Sequence, residues 1–236
     1  MHFDILPSVD QRIANWLETQ KKVAEPDPTA KYRFSITLSR AFGCEGYPLA
    51  VALKERLEQL DVGHRWTIFD RSLIDKILQD NNVSRKLLEN FGRKNVFYDS
   101  LMSNIDPHWT SDADVYELMV KTIMSLAEEG RAIFVGRGAS VVTAELKRCF
   151  HFRLDASEEY RINSLMDRSK QGRDAVLAMM EEKEKERENF INRFLGCDMN
   201  DISNFHLVFN NEKNSVEQMA ETITSHVDLH MKTLLK

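Results

Sequence analysis

The feature that most constrains the fold is an alternation of short apolar runs with helical segments. Each apolar run is hydrophobic at successive positions, which is typical of strands covered on both faces. The segments between them are long enough to form the helical crossovers that parallel strands require. The sequence therefore predicts a three-layer α/β/α domain with a parallel sheet of about five strands. The five runs are RFSITLS, WTIFD, RAIFVG, CFHFRLD and FHLVFN.

The N-terminal residues differ from the rest of the chain. Ile13, Trp16 and Leu17 have helical spacing after a start near Ser8. The stretch KKVAEPDPTAKYR follows, with two prolines and no periodicity. We predict a helical extension and linker over 1–30 and one domain over 31–236. The extension is expected to pack on this domain, with a partner protein as the alternative.

Charge and composition limit the classes of function. The 236 residues carry 32 Lys and Arg against 37 Asp and Glu, a net charge of −5. A general nucleic-acid binder is excluded, because such proteins carry a basic excess. No apolar stretch has membrane-spanning length, so a soluble cytoplasmic protein is expected. The three cysteines have no CxxC spacing, and neither a disulfide scaffold nor a zinc site is predicted.

The turn after the first predicted strand is the first candidate site. In open parallel sheets, ligands bind beyond the carboxyl ends of the strands. Two glycines there allow N–H groups to converge at a helix N-terminus, where they can bind a phosphate. The Gly-Lys-Ser/Thr ending of a P-loop is missing, and an ordinary strand-to-helix turn remains the alternative. The candidate contacts are Ser39, Arg40, Gly43, Cys44, Glu45, Gly46 and Tyr47.

Several segments in order resemble the cytidylate kinase-like family, relatives of the P-loop nucleoside monophosphate kinases. They are ITLSRAFGCEGYPLA, FDRSLI, AIFVGRGAS, FRLDASEEYRI, ERENFINRF and FHLVFN. The resemblance runs from Arg33 to the C-terminus. It implies a P-loop kinase fold with a helical lid over about 165–200. It also implies transfer of the γ-phosphoryl group of ATP, with Mg²⁺, to a nucleoside monophosphate (CMP or dCMP by default) or a similar small phosphorylated acceptor. A homodimer is left open.

The resemblance also assigns roles to arginines at the strand ends. Arg40 would supply charge in place of the P-loop lysine, with a surface ion pair as the alternative. Asp70 and Arg71 would face the acceptor, although Asp70 could instead cap the following helix. Arg137, followed by Gly138, would bind the phosphate of the acceptor.

The lid and the departures from the family pattern carry the remaining predictions. Arg187 and Arg193 match the lid segment and would act on the transferring phosphoryl group, but EEKEKERE is equally typical of a solvated charged helix. Glu45 would weaken phosphate binding unless it holds Mg²⁺ or points away. Because the lysine is missing, a catalytically weak or inactive nucleotide sensor or interaction protein is the alternative function.

Overall fold

The computed structural model describes residues 8–21, 33–79, 112–190, 198 and 200–234. Its five described strands form one sheet, in which every neighbouring pair is parallel. The order across the sheet is β2-β3-β1-β4-β5, so β1 is central. The strands are β1 (Ser35–Arg40), β2 (Thr67–Phe69), β3 (Ala132–Val135), β4 (Cys149–Asp155) and β5 (Leu207–Asn210). All five predicted strands and the parallel sheet are confirmed.

Helices cover both faces of the sheet. One face packs against two helices through a cluster that includes Ile36, Leu38 and Phe152. The other face packs against three longer helices and one short helix through Phe69 and Phe134. The α/β/α arrangement is therefore confirmed. The helices are α1 (Val9–Lys21), α2 (Gly46–Leu60), α3 (Arg71–Gln79), α4 (Asp112–Glu129), α5 (Ala139–Val142), α6 (Glu158–Ser169), α7 (Arg173–Phe190) and α8 (Val216–Leu234).

The layers are defined by which helix supplies apolar side chains to each cluster. Helices α2 and α8 cover the first face, α8 through Met219, Ile223 and Val227. Helices α1, α3 and α4 cover the second face, together with the short helix α5. None of the described helices combines the length and apolar character needed to cross a membrane.

The charged region over 157–194, which the sequence predicts to be helical with Arg161 and Arg168 on the helix before Arg187, contains two helices. Arg161 and Arg168 lie on α6, and Arg187 lies on α7. Lys170 ends α6 in a left-handed conformation, with a φ of 58°. Its N–H donates to the carbonyl of Met166. A left-handed residue ends the helical hydrogen-bond pattern, so the chain turns and α7 packs back on α6.

The parallel register brings the carboxyl ends of the strands together. Leu38 of β1 is paired with Val135 of β3, and Arg40 is paired with Leu154 of β4. The turns that follow β1 and β3 therefore leave the sheet at the same edge. The predicted site residues on these turns share that edge. Arg193 and the 22–32 part of the linker lie outside the described residues, as does 191–197 of the predicted lid.

Candidate functional site

The turn between β1 and α2 is closely packed against helix α6. Gly43 has a φ of +103°, a left-handed value that glycine adopts without strain. A Cβ atom at this position would lie 2.6 Å from Cβ of Arg161. Within the turn, the N–H of Cys44 donates to the carbonyl of Ala41, and the N–H of Ala41 donates to the carbonyl of Leu154. The turn thus has one defined conformation, and only glycine fits at position 43.

Arg40 ends β1, and its side chain fills space left by two glycines. A Cβ atom at Gly136 would overlap Nη1 of Arg40, and one at Gly46 would lie 3.1 Å from its Cδ. Burial lowers the pKa of Arg40, while the negative charge of Asp70 acts to raise it. A guanidinium stays protonated in proteins. A positive charge is therefore held where β1, β3 and α2 meet.

Helix α7, in the predicted lid, places Arg187 over the same turn. Nη1 of Arg187 donates to the carbonyl oxygen of Arg40 at 2.9 Å. Burial lowers the pKa of Arg187, and repulsion from Arg153 and Arg40 lowers it further. Asp155 and Glu184 act in the opposite direction but do not outweigh these effects. Arg153 and Arg40 are therefore close enough to Arg187 to destabilise its charged form.

Helix α6 contributes two more arginines to the turn. Nη1 of Arg161 donates to the carbonyl of Phe42 at 3.2 Å and to Oε1 of Glu184 at 2.8 Å. Nη2 of Arg168 donates to the carbonyl of Gly43. Both helices of the charged region therefore contact the turn through arginines, and neither is a purely solvated helix.

Arg153 is a residue of this site that sequence reasoning missed. It lies on β4 with only 6% of its side chain exposed, and Nη2 donates to Asp155 at 3.0 Å and to Asn200 at 2.9 Å. A lone cation in the otherwise apolar run CFHFRLD was the available signal, because strands buried on both faces rarely contain one. The arginine cluster is defined as Arg40, Arg153, Arg161, Arg168 and Arg187.

The carboxylate of Glu45 is bound by two neighbours. Its Oε2 accepts hydrogen bonds from the hydroxyl of Tyr160 at 3.1 Å and from Nδ2 of Asn211 at 3.0 Å. The main-chain N–H of Glu45 donates to Oδ1 of Asn211 at 2.7 Å. Burial, with the nearby Glu45, raises the pKa of Tyr160 to about 12, so the hydroxyl remains a donor. Asn211, which is buried beyond β5, is a second residue that the sequence did not reveal.

The other predicted loop contacts differ in what they offer a ligand. Oγ of Ser39 is buried and has no hydrogen-bond partner in the part of the chain that the structure describes. Burial raises the pKa of the Cys44 thiol to about 11, so Cys44 is protonated at neutral pH and is a poor nucleophile. Burial also raises the pKa of Tyr47. Ser39 is therefore the loop side chain that retains unused hydrogen-bonding capacity.

Arg137 follows β3 in a conformation that its residue type disfavours. Its φ is 60°, and its neighbours Gly136 and Gly138 have φ values of 80° and 68°. Left-handed backbone costs a non-glycine residue free energy, and such residues concentrate at functional sites. The guanidinium pairs with the carboxylate of Asp75. Burial, aided by repulsion from Arg71, lowers the pKa of Arg137 to about 10.

Asp70, at the end of β2, caps helix α3. Its Oδ1 accepts hydrogen bonds from the N–H of Leu73 at 2.9 Å and from the hydroxyl of Ser72 at 2.8 Å. Its Oδ2 accepts from Nη1 of Arg12 at 3.2 Å. Burial acts to raise the pKa of Asp70, but these donors outweigh it and the pKa is lowered. The capping role is thus observed, and the carboxylate is ionised and a weak base.

Arg71 lies at the outer margin of the site. Its side chain is 69% exposed and contacts Asp75 at 3.7 Å and Glu186 of helix α7 at 3.4 Å. The sheet edge therefore brings together Arg40 and Arg187 on one side and Asp70, Arg71 and Arg137 on the other.

A second cluster of titratable groups lies nearer the amino ends of β4 and β5. We define the histidine cluster as His151, His206, His226 and His230. The rings of His226 and His230 are 4.3 Å apart, and both are 6.0 Å from the ring of His206. Nδ1 of His151 is 2.9 Å from Oγ1 of Thr37. His226 and His230 are four residues apart on α8, a spacing that the sequence analysis overlooked.

Burial is the main cause of the lowered pKa values in the histidine cluster. It lowers the pKa of His151 to about 4, with repulsion from His206 adding to the effect. Burial also lowers the pKa values of His206 and His226. Among the described residues, no group of three His, Cys, Asp or Glu side chains has a geometry that could hold a metal ion.

The family model of the cytidylate kinase-like family matches residues 35–213 of the chain. This match covers well over half of the 236 residues. The chain belongs to the cytidylate kinase-like family. The match begins at β1 and ends after β5, so it includes the arginine cluster, Asp70 and Arg137. Helix α1 lies outside it.

One solved structure shares the fold of this family member, and two others are more distantly similar. An uncharacterised protein from Eubacterium ventriosum has a TM-score of 0.62 at 17% identity. The aligned region covers 83% of this chain and 98% of that protein's chain. Shikimate kinase from Bacteroides thetaiotaomicron has a TM-score of 0.46 at 12% identity, covering 83% and 98%. Dephospho-CoA kinase from Campylobacter jejuni has a TM-score of 0.36 at 10% identity, covering 82% and 96%. No curated protein matches the sequence.

Proposed function

We propose that this protein is an ATP-dependent phosphotransferase whose acceptor is a nucleoside monophosphate. One observation carries the proposal: Arg40, Arg153 and Arg187 lie together at the turn after β1, where burial lowers the pKa values of Arg40 and Arg187 and repulsion from Arg153 and Arg40 lowers that of Arg187 further. Arg187 and Arg168 are held there by main-chain carbonyl groups. A polyphosphate would neutralise this positive charge, and arginine forks match phosphate geometry.

Phosphoryl transfer suits a site of this composition. The reaction needs positioning and positive charge around the transferring group, and it needs no covalent nucleophile. We assign Arg40 and Arg187 to the phosphates of ATP. Arg137 is assigned to the phosphate of the acceptor, which would replace Asp75 as its partner. Arg193, predicted to act beside Arg187, remains a prediction.

MgATP fits the residues around the cluster. A magnesium ion that arrives with a nucleotide is usually bound by phosphate oxygens, waters and only one or two carboxylates. Asp155, which contacts Arg153 at the end of β4, is the carboxylate that we assign to this purpose. When bound, the ion would neutralise charge on the phosphates. The charge at Arg40 and Arg187 would orient the chain of phosphates.

Phosphorus-31 NMR provides the direct test of transfer. The protein is incubated with MgATP and an equimolar set of CMP, UMP, AMP and GMP, alongside Arg137→Ala and Arg187→Ala variants. Arg173→Ala is the matched control, because Arg173 is an exposed arginine on α7, the helix that carries Arg187, and it pairs with Glu159. A nucleoside diphosphate that forms with the wild type and the control, but not with the other two variants, supports the proposal. A wild-type spectrum without any such product contradicts it.

A nucleotide sensor without turnover is the second candidate, and the environment of Glu45 favours it. The N–H of Glu45 donates to Asn211, so this amide of the turn is unavailable to a phosphate. A sensor should be stabilised by ATP in proportion to the logarithm of its concentration, with no diphosphate product. Thermal unfolding with increasing MgATP, run beside the NMR experiment, separates the two functions.

A further inference from the structure

Helix α1 is fixed on the domain by a reciprocal cap and by apolar packing. The N–H of Gln11 donates to Oγ of Ser8 at 3.2 Å, and the N–H of Ser8 donates to Oε1 of Gln11 at 3.1 Å. This capping box sets the start of the helix. Ile13 and Trp16 are buried in the cluster that covers the second face of the sheet, and Trp16 meets Phe69 edge-on at 6.3 Å. The helix therefore has a defined register on α3.

That register places Arg12 at the carboxyl end of β2. Its side chain is 12% exposed. Nη1 donates to Oδ2 of Asp70 at 3.2 Å, and Nη2 donates to the carbonyl of Ile68 at 2.7 Å. One guanidinium thus binds both the main chain of β2 and the carboxylate that follows it. The two donor groups of the planar guanidinium are held in a fixed geometry, so Arg12 can fix the orientation of the Asp70 carboxylate.

The neighbours of Arg12 belong to the proposed site. The charges of Arg12 and Asp70 both act on the Tyr47 hydroxyl, in opposite directions. The charge of Asp70 also acts on Arg40. Arg12 therefore belongs to the same electrostatic environment as the turn after β1, although it comes from a helix outside the matched family region.

We infer that Arg12 is a positioning residue of the acceptor side, which holds Asp70 in place to accept a hydrogen bond from a hydroxyl or amino group of the acceptor. The inference rests on the proposed function and adds two things to it. The N-terminal helix becomes part of the acceptor site. The acceptor carries a hydrogen-bond donor besides the phosphate that Arg137 would bind.

The hydrogen-bonding capacity of Asp70 supports this role. An ionised carboxylate offers about four lone-pair sites. Ser72, Leu73 and Arg12 account for three of them. Because these donors keep the carboxylate ionised, Asp70 can accept a further hydrogen bond but cannot donate one. A ligand group placed against Asp70 must therefore be a donor.

Calorimetry at neutral pH separates this role from a purely structural one. CMP, UMP, AMP and GMP are each titrated into the wild type, Arg12→Ala and Arg12→Lys, and a non-hydrolysable ATP analogue is titrated separately. Lys76→Ala is the matched control. Lys76 of α3 pairs with Asp10 of α1 at 3.4 Å, and both side chains are exposed to solvent. We expect Arg12→Ala to weaken acceptor binding about tenfold or more and to leave binding of the ATP analogue within twofold. Arg12→Lys should be intermediate, because lysine keeps the charge but loses the fork.

A pH series adds a readout that a structural role would not change. Without Arg12, the pKa of Asp70 should rise, so acceptor binding by Arg12→Ala should decline at a higher pH than it does in the wild type. If Arg12→Ala does not fold, as judged by circular dichroism, the same comparisons are made with Arg12→Lys.

Three results would overturn the inference. The first is unchanged acceptor affinity in a folded Arg12 variant, and the second is an equal loss of affinity for acceptor and ATP analogue. Both leave the proposed function standing. The third is a wild type that binds the ATP analogue but none of the four monophosphates, and this result removes the proposed acceptor class together with the inference.

Discussion

The arginine cluster and the histidine cluster lie toward different ends of the same sheet, and burial lowers pKa values in both but leaves them with different charges at neutral pH. Burial lowers the pKa of His151 to about 4, so this histidine is buried without charge at neutral pH. Burial also lowers the pKa values of Arg40 and Arg187, but a guanidinium does not lose its proton in a protein. The arginines therefore carry positive charge into a crowded site.

This difference distinguishes a functional cluster from a structural one. A buried histidine removes its own charge and needs no ligand. Buried arginines that repel one another are stabilised when an anion binds. Their bonds to main-chain carbonyls at Arg40 and Gly43 hold them in place for such a ligand. We therefore expect an anion to bind at the arginine end of the sheet, whereas the histidine end needs no ligand.

The largest expected effect is acid destabilisation from the histidine cluster. The pKa of His151 is about 4 in the folded protein, and an unperturbed histidine has a pKa of about 6.5. The unfolded chain therefore takes up the proton first as the pH falls. The contribution of neutral His151 to the free energy of unfolding is therefore complete above about pH 6.5. It is lost progressively as the pH falls to about 4, and the loss amounts to about 3 kcal/mol.

Urea denaturation at several pH values tests this prediction. His151→Gln should have a flatter pH dependence than the wild type across this range. His230→Gln, at the exposed margin of the cluster, is the control and should flatten the dependence much less. An unchanged slope in His151→Gln would show that folding does not shift the pKa of His151, and the contrast between the two clusters would fail.

The next effect concerns the arginine cluster. Arg187→Ala should weaken ATP binding about 100-fold, the equivalent of two hydrogen bonds to a charged group. Its free energy of unfolding should change little, because removing one of several repelling cations offsets the lost bond to the carbonyl of Arg40. Calorimetry with ATP and urea denaturation measure the two quantities, with Arg173→Ala as control. A large loss of stability with unchanged ATP affinity would make the arginine cluster structural.

A third prediction concerns the close packing that distinguishes the arginine end. Gly43→Ala should cost about 2 to 3 kcal/mol, because left-handed strain adds to overlap with Arg161. Gly63→Ala is the matched control: Gly63 has a φ of +90°, and an added Cβ would meet nothing within 4 Å. It should cost about 1 kcal/mol, from backbone strain alone. Equal costs in denaturation experiments would mean that the turn relaxes away from α6.

The smallest predicted effect is at the acceptor side. Asp70→Ala should cost about 1 kcal/mol, because the N-terminal cap of α3 is lost, and Asp70→Asn should cost less. Donors from Leu73 and Arg12 lower the pKa of Asp70, so its charge stabilises the fold above its ordinary pKa near 4. This contribution falls as the pH drops through the lowered pKa. The stability difference between wild type and Asp70→Asn should therefore shrink in acid, and a constant difference would contradict the ion pair with Arg12.

The fold was predictable because local sequence pattern determines its elements. Apolar runs gave all five strands, and Ser8 marked the start of α1. The order of the strands was not predictable, because β1 pairs with residues about one hundred positions away and pairing of that kind leaves no local signal. The position of the break between α6 and α7 was not predictable, because Lys170 takes a left-handed conformation that glycine or asparagine usually adopts.

The candidate site was predictable only where residues end or follow a strand. Arg40 ends β1, Asp70 and Arg137 follow β2 and β3, and the edge that they share follows from a parallel sheet. Arg12 and Asn211 come from elements outside this rule, and only the packing of α1 and the turn after β5 brings them to the site. Nothing in the sequence indicates that the missing side chain of Gly136 makes room for the guanidinium of Arg40. Contacts between distant segments therefore account for most of what was missed.

The left-handed conformation of Arg137 has a consequence for directed evolution. Asparagine or glycine at this position would relieve backbone strain of about 1 kcal/mol or more. A library screened for heat resistance alone should therefore accumulate these two residues at position 137, and sequencing the survivors would reveal it. A library screened for activity should retain arginine. Retention of arginine in both libraries would show that Arg137 serves the fold, and divergence would show a trade between stability and activity.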